Sequence, residues 1–306
     1  MKKLIRFFSD DAYRFMHLTN RGFYNYLSDE KFLRKRFKAR FGRDLDLENP
    51  KTFNEKLQWL KLYNRKPEYT RMVDKYEAKR YVAEKIGEEY IIPTLGVWDR
   101  FEDIDFDSLP NQFVLKCTHD SGGLVICRDK NSLDFKKARK KIEKSLKHDF
   151  YMRGREWPYK NVKPRIIAET YMQDEKTGEL PDYKFFCFNG VPKALFIATE
   201  RNVSGSETKF DFFDMDFNHI DVRNGHPNAD VPPSKPMCFD KMRELAEKLS
   251  ANIPHLRVDF YEVNGKVYFG ELTFSHWSGF VPFEPEQWDH IFGSWLTLPN
   301  KDSIEE

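Results

Sequence analysis

Arg257-Val258-Asp259-Phe260-Tyr261-Glu262-Val263-Asn264-Gly265-Lys266-Val267-Tyr268-Phe269-Gly270-Glu271-Leu272-Thr273 is the stretch whose reading decides the fold. Two β-type runs meet at Asn264-Gly265, and each arm carries an acid, Asp259 on the first and Glu271 on the second. Register then decides the chemistry. With Asn264-Gly265 as a two-residue loop, Val263 faces Lys266, and Asp259 and Glu271 fall on opposite faces of the sheet. With a three-residue loop and a glycine bulge, Val263 faces Val267, Asp259 lies opposite Glu271, and Arg257 lies opposite Thr273. In that second register the carboxylates have Cβ atoms roughly 4.5–5.5 Å apart and repel unless a cation lies between them. Magnesium suits such oxygen ligands better than zinc, for which this stretch has no His/Cys set. An exposed hairpin with solvated acids fits the same residues.

Upstream, Ile166-Ile167-Ala168-Glu169-Thr170-Tyr171-Met172 precedes Asp182-Tyr183-Lys184-Phe185. A strand edge beside a connecting loop can present backbone groups to a purine, with Asp182 accepting from a ribose hydroxyl and Lys184 reaching phosphate; ordinary sheet roles fit as well. Further upstream, Phe113-Val114-Leu115-Lys116 and Leu124-Val125-Ile126-Cys127 flank a loop containing His119, Ser121, Gly122 and Gly123. Adjacent glycines let backbone N–H groups approach phosphate oxygens, and Lys116 supplies positive charge. A plain hairpin with a glycine turn is the alternative.

The 306 residues allow two or three lobes, and 40% hydrophobic with 33% charged residues is a globular composition. Mean hydropathy is −0.72, and no apolar run approaches the ~20 residues of a membrane span. Met1-Lys2-Lys3-Leu4-Ile5-Arg6-Phe7-Phe8 has the charge of a signal n-region, but Ser9-Asp10-Asp11 ends it before an apolar core forms, so a cytoplasmic protein is expected. Cys117, Cys127, Cys187 and Cys238 are widely spaced and read as reduced thiols. G-x-G-x-x-G, G-x-x-x-x-G-K-[ST], kinase-loop and H-E-x-x-H signatures are missing.

Net charge is +2, but residues 1–65 hold 16 Lys/Arg against 8 Asp/Glu, a balance of +8, leaving −6 for residues 66–306. Within the basic region, Phe32, Leu33, Phe37 and Phe41 recur at helical spacing among Lys31, Arg34, Lys35, Arg36 and Lys38. Such a helix packs on the core with solvated charges, or docks on an anionic membrane or an acidic glycan; no nucleic-acid motif accompanies it. Thr52 and Glu55 have the spacing of a capping box opening a helix to about Tyr63. Further helices are expected over Val73 to Lys85, Leu133 to His148, Phe239 to Ala251 and from near Pro285, with strands dominating from Arg165 onward.

Taken in this order, Asp74-Lys75-Tyr76, Lys116 to Gly123, Ile167-Ala168-Glu169, Asp182-Tyr183-Lys184, and Val258-Asp259 through Glu271-Leu272-Thr273 resemble the ATP-grasp superfamily, in its TupA-like branch associated with teichuronopeptide and other polysaccharide synthesis. The resemblance runs from about Gly22 to Pro299. It implies an α+β ATP-grasp fold, two α+β lobes with mixed or antiparallel sheets clasping ATP after a basic helical region. The implied divisions are residues 1–72, a flap-bearing lobe 73–165, a metal-bearing lobe 166–298 and a tail 299–306.

By the same resemblance, Lys75 and Lys116 contact ATP phosphates, and Ser121, Gly122 and Gly123 form a mobile flap with His119 in the same cofactor-binding segment. Glu169, Tyr171 and Met172 line the adenine side, Asp182 serves ribose and Lys184 phosphate. Asp259 and Glu271 hold Mg²⁺, with Thr273 where the superfamily commonly has Asn, and Arg257 stabilises the transferred phosphoryl group. His276-Trp277 either shapes an acceptor pocket or packs as an aromatic corner. The implied activity is Mg-ATP-dependent joining of a carboxylate to an amine through an acyl phosphate, on an acidic glycan or its precursor at the inner face of the membrane. A glycosyltransferase of polysaccharide synthesis and an inactive membrane-associated assembly factor are the competing expectations.

Overall fold

The computed structural model describes residues 7, 10–19, 21–175, 178, 180–201 and 205–301. Most of the leader-like segment and residues 302–306 of the expected tail lie outside them. The N-terminal helices are α1 (Asp11–Thr19), α2 (Asp29–Phe41), α3 (Phe53–Tyr63), α4 (Glu68–Val73) and α5 (Glu77–Ile86). The expected capping box is present: the Thr52 hydroxyl accepts from the Glu55 N–H while the Glu55 carboxylate accepts from that of Thr52. Where one helix over Val73 to Lys85 was expected, Asp74-Lys75-Tyr76 divides α4 from α5. The Asp74 carboxylate accepts from the Tyr76 and Glu77 N–H groups, which halts one helix and starts the next.

Strands β1 (Thr94–Trp98), β2 (Phe113–Cys117), β3 (Leu124–Cys127) and β4 (Ile166–Thr170) form an antiparallel sheet in the order β1-β4-β2-β3. Between β3 and β4 run α6 (Phe135–Leu146) and the short α7 (Phe150–Gly154). Alternation along β2 sends Phe113, Leu115 and Cys117 against Ala138 and Ile142 of α6, and leaves Val114 and Lys116 on the other face.

The second sheet contains β5 (Asp182–Phe188), β6 (Val191–Thr199), β7 (Lys209–Asp214), β8 (His219–Ile220), β9 (His255–Val263) and β10 (Lys266–Thr273), in the antiparallel order β10-β9-β5-β6-β7-β8. It is covered on both faces, which is why its strands read as continuous apolar runs. Phe185, Leu195, Val258 and Phe260 pack with α4, α5 and α8 (Phe239–Ser250). Phe186, Phe188, Phe196 and Phe212 pack with Phe32, Phe37 and Phe53 of the N-terminal helices and Phe292 of α9 (Gln287–Trp295). Phe53 is 1% exposed, with its ring against Phe186, Phe188, His255, Phe283 and Phe292. Truncating it costs about 3–5 kcal/mol.

These contacts run across the expected divisions. The N-terminal helices share a core with the second sheet rather than forming a separate region, α5 packs beneath that sheet, and β4 belongs to the first sheet although it falls after residue 165.

Candidate active site

The hairpin of β9 and β10 reaches the site-forming register by an unexpected route. Asn264 and Gly265 both have positive φ, 51° and 73°, and close a two-residue loop in which Val263 pairs with Lys266. That start would put Asp259 and Glu271 on opposite faces. Pairing holds through Phe260 and Phe269, then Gly270 bulges out, and Glu271 pairs with Asp259, Leu272 with Val258 and Thr273 with Arg257. The expected three-residue loop is therefore corrected to a tight turn with a bulge six residues further on, and the four polar residues still converge.

The cation between the two carboxylates is the Arg257 guanidinium. Its Nε donates to Asp259 Oδ1 at 2.7 Å, and Nη2 donates to Asp259 Oδ2 at 2.7 Å, Glu271 Oε1 at 2.9 Å and Thr273 Oγ1 at 3.0 Å. Neighbouring β5 pairs Lys184 with Asp259, so the Lys184 ammonium meets the Asp259 carboxylate and also lies 2.8 Å from Asp182. Asp259 is fully buried with both oxygens engaged, whereas the Glu271 side chain is 38% exposed. Burial raises the Glu271 pKa, but Lys184, Arg257 and Lys75 outweigh it and hold the group at about 2. Lys75 thus acts on the same carboxylate as Lys184, although far from it in sequence.

On the first sheet, Glu169 of β4 is 5% exposed and held between Lys116 Nζ at 2.5 Å and Lys79 Nζ at 2.7 Å. A cleft of about 1050 Å³, including its open mouth, lies between the sheets. Val114, Lys116, Glu169, Tyr171 and Met172 line one side, and Ala198, Arg201 and Tyr261 the other.

The sequence model of the TupA-like ATP-grasp family matches residues 55–297. The chain belongs to the TupA-like ATP-grasp family. No curated protein sequence matches it. Among solved structures, it is similar to a D-alanine–D-alanine ligase from Bacillus anthracis complexed with ATP, at 14% identity and TM-score 0.39, over 66% of this chain and 53% of that one. It is also similar to a D-alanine–D-alanine ligase from Helicobacter pylori, at 13% identity and TM-score 0.43, over 80% of this chain and 69% of that one. A third is the ATP-grasp ligase PsnB complexed with a phosphomimetic variant of its minimal precursor, Mg and ADP, at 10% identity and TM-score 0.43, over 90% of this chain and 69% of that one. The chain therefore spans about half the length of the first of these.

In the TupA-like chain, not every expected site residue faces the cleft. Lys75 donates to the Asp120 carbonyl of the flap, and its N–H donates to the Thr118 carbonyl at 3.1 Å. Ser121 and Gly122 are exposed at the flap tip. Gly123 is enclosed, and a Cβ there would lie 2.4 Å from Cys117 Sγ. His119 is buried, with Nε2 3.2 Å from the Ser145 carbonyl and 3.1 Å from that of His148, and so points back toward the end of α6. Asp182 is 1% exposed and its Oδ2 is engaged by Lys184 and Arg201, while its cross-strand neighbours Ala198 and Tyr261 line the cleft.

Three contributors were missed. Lys79 lies four residues beyond Lys75, a spacing that places both on one face of the helix expected over Val73 to Lys85. Arg201 lines the cleft and, beside Asp182, keeps its pKa above the ordinary value. The third is α3, whose Gln58 donates to the Gly279 carbonyl at 2.8 Å and whose Lys61 donates to that of Ser278 at 2.6 Å. These bonds fix the turn after β10, where Trp277, Ser278 and Gly279 all have positive φ. Burial drives the Lys61 pKa down to about 7. No sequence signal links α3 to this turn, because the contact spans over two hundred residues.

Proposed function

We propose that the protein is a Mg-ATP-dependent carboxylate–amine ligase working through an acyl phosphate on a cell-surface polysaccharide or its precursor, joining an amino acid to a uronic acid or similar carboxylate. The observation that carries this reading is the row Glu271, Asp259 and Lys184 across three adjacent strands, with Arg257 bridging the acids. Tyr261, two residues along β9 from Asp259, lines the cleft together with Lys116, and such a row beside it provides cations for a polyphosphate and hard oxygens for a divalent ion.

The residues fit magnesium. Glu271, Thr273 and Asp259 form an oxygen-only donor set, and the acids are neutralised by Arg257 and Lys184. A bound triphosphate attracts those cations and frees the acids, so Asp259, Glu271 and Thr273 would hold the metal. There it would neutralise charge on the phosphate oxygens. Lys75, Lys116 and Lys184 bind the phosphates, and Glu169, Tyr171 and Met172 line the adenine side. Arg257 stabilises the phosphoryl group as it leaves ADP for the carboxylate oxygen. The amine then forms a C–N bond to the acyl carbon as inorganic phosphate departs. The described helices include none long and apolar enough to cross a membrane, and a supply of ATP fits a cytoplasmic site.

The test is ADP release by purified protein, with amino acids screened against uronic-acid-containing glycans. ADP that depends on both substrates, and an amide in the product, support the reading. Sugar transfer from a UDP-sugar without ADP overturns it in favour of a glycosyltransferase, and a protein that binds ATP without turnover in any combination overturns it in favour of an assembly factor.

A further inference from the structure

One surface of the N-terminal helices has no use in the cleft. In the turn over residues 21–27, Phe23 is 61% exposed and Tyr26 79%. The turn itself is anchored: Tyr24 packs on Phe15 with centroids 4.6 Å apart, and Arg155 donates to the Asn25 carbonyl at 3.1 Å. Both aromatics are therefore presented to solvent by an anchored backbone. Immediately beyond, α2 buries Phe32, Leu33 and Phe37, and its opposite side carries Lys31, Arg34, Lys35 and Lys38 at spacings of three and four. The nearby acids are already engaged, Glu30 with Arg34 at 2.8 Å, Asp44 with Lys38 at 2.9 Å and Asp29 with Arg65 at 2.6 Å. Lys31 and Lys35 form no ion pair among the described residues.

We infer that this turn and helix face dock on an anionic phospholipid membrane, with Phe23 and Tyr26 entering the headgroup layer and Lys31 and Lys35 meeting the lipid charge. Aromatic rings favour the boundary between water and acyl chains, and the Tyr26 hydroxyl can stay wet while its ring is buried. Each lysine near an anionic surface strengthens binding about fivefold. The balance of +8 over residues 1–65 against −6 for the remainder favours the approach of this region to a negative surface. An acidic glycan would use the same lysines but gives Phe23 no layer to enter.

The experiment is co-sedimentation of the full chain with phosphatidylcholine vesicles, and with vesicles of phosphatidylcholine and phosphatidylglycerol in equal parts. Binding to the mixed vesicles alone, lost in high salt, is expected. Lys31→Gln/Lys35→Gln should weaken it on the order of 25-fold, and Phe23→Ser/Tyr26→Ser should abolish sedimentation, with unchanged thermal melts in both. Absence of binding, equal binding to both vesicle types, or variants that sediment like the parent overturn the inference. A concentration-dependent dimer that Phe23→Ser/Tyr26→Ser dissolves, with no vesicle binding by the parent, assigns the surface to a second copy instead. None of these readouts involves nucleotide, so they stand or fall apart from the ligase reading.

Discussion

Gly270 stands against the carbonyl oxygen of Asp259, where a Cβ would come to 3.0 Å. It is also the bulged residue that turns Glu271 onto the face of Asp259. A side chain here must push the two strands apart or slide the register that joins the acids. Gly270→Val is expected to cost about 1–3 kcal/mol of stability in urea denaturation. It should also weaken ATP binding by at least tenfold in a calorimetric titration. Normal ATP binding in the folded variant would contradict the role given to the bulge.

Asp259 and Glu271 face the same guanidinium but differ in burial, and that separates their mutants. Asp259→Ala leaves Lys184 and Arg257 buried without their shared carboxylate, a loss of about 3–5 kcal/mol. Glu271→Gln changes a group that reaches solvent, so stability should move by under about 1 kcal/mol. ADP formation should nevertheless be lost in both. Thermal melts read beside ADP release check the contrast, and a Glu271→Gln protein with full turnover would remove that acid from the site.

Glu169 makes stability depend on pH. Burial tends to raise its pKa, but Lys116 and Lys79 outweigh burial and hold it at about 2, below the ordinary 4.5. The folded state therefore binds fewer protons than the unfolded chain between those values. The stabilisation is present above about pH 4.5 and is lost as pH falls toward about 2. Denaturant midpoints measured from pH 6 downward, in steps through this window, should fall less steeply in Glu169→Gln than in the parent, while the variant is weaker at neutral pH because two lysines lose their partner.

The sequence was informative where chemistry and periodicity coincide. Lys116 alternates with buried Leu115 and Cys117, and so its face could be assigned from β2 alone. Asp259 and Glu271 could be paired only through an assumed bulge, and the strong turn signal of Asn264-Gly265 draws that bulge there rather than to Gly270. Around Asp182 the sequence shows Lys184 but not Arg201, which lies just past the end of β6 and engages the same carboxylate oxygen. β4 joins the first sheet and the N-terminal helices enter the core of the second, both across the expected lobe boundaries. Long-range packing of that kind leaves no local pattern.

His276 is a positioning residue whose role can be separated from mere packing. Its Nδ1 lies 2.8 Å from Arg257 Nη1 and its Nε2 lies 2.8 Å from Asn224 Oδ1. Because guanidinium can only donate, Nδ1 accepts, and the proton resides on Nε2, facing the Asn224 oxygen. Burial and then Arg257 lower the ring's pKa well below 6.5, so it stays neutral through the physiological range. The neutral ring supports Arg257 from the side away from Asp259, so its loss should affect the reacting geometry more than nucleotide affinity. His276→Ala is expected to lower kcat for ADP formation about 10- to 100-fold with KM for ATP nearly unchanged. His276→Gln, whose amide can both accept and donate, should recover part of kcat. The parent's kcat should show no inflection near pH 6.5 from this group. Equal losses in the Ala and Gln variants, or a rise in KM alone, would make the ring a packing element and nothing more.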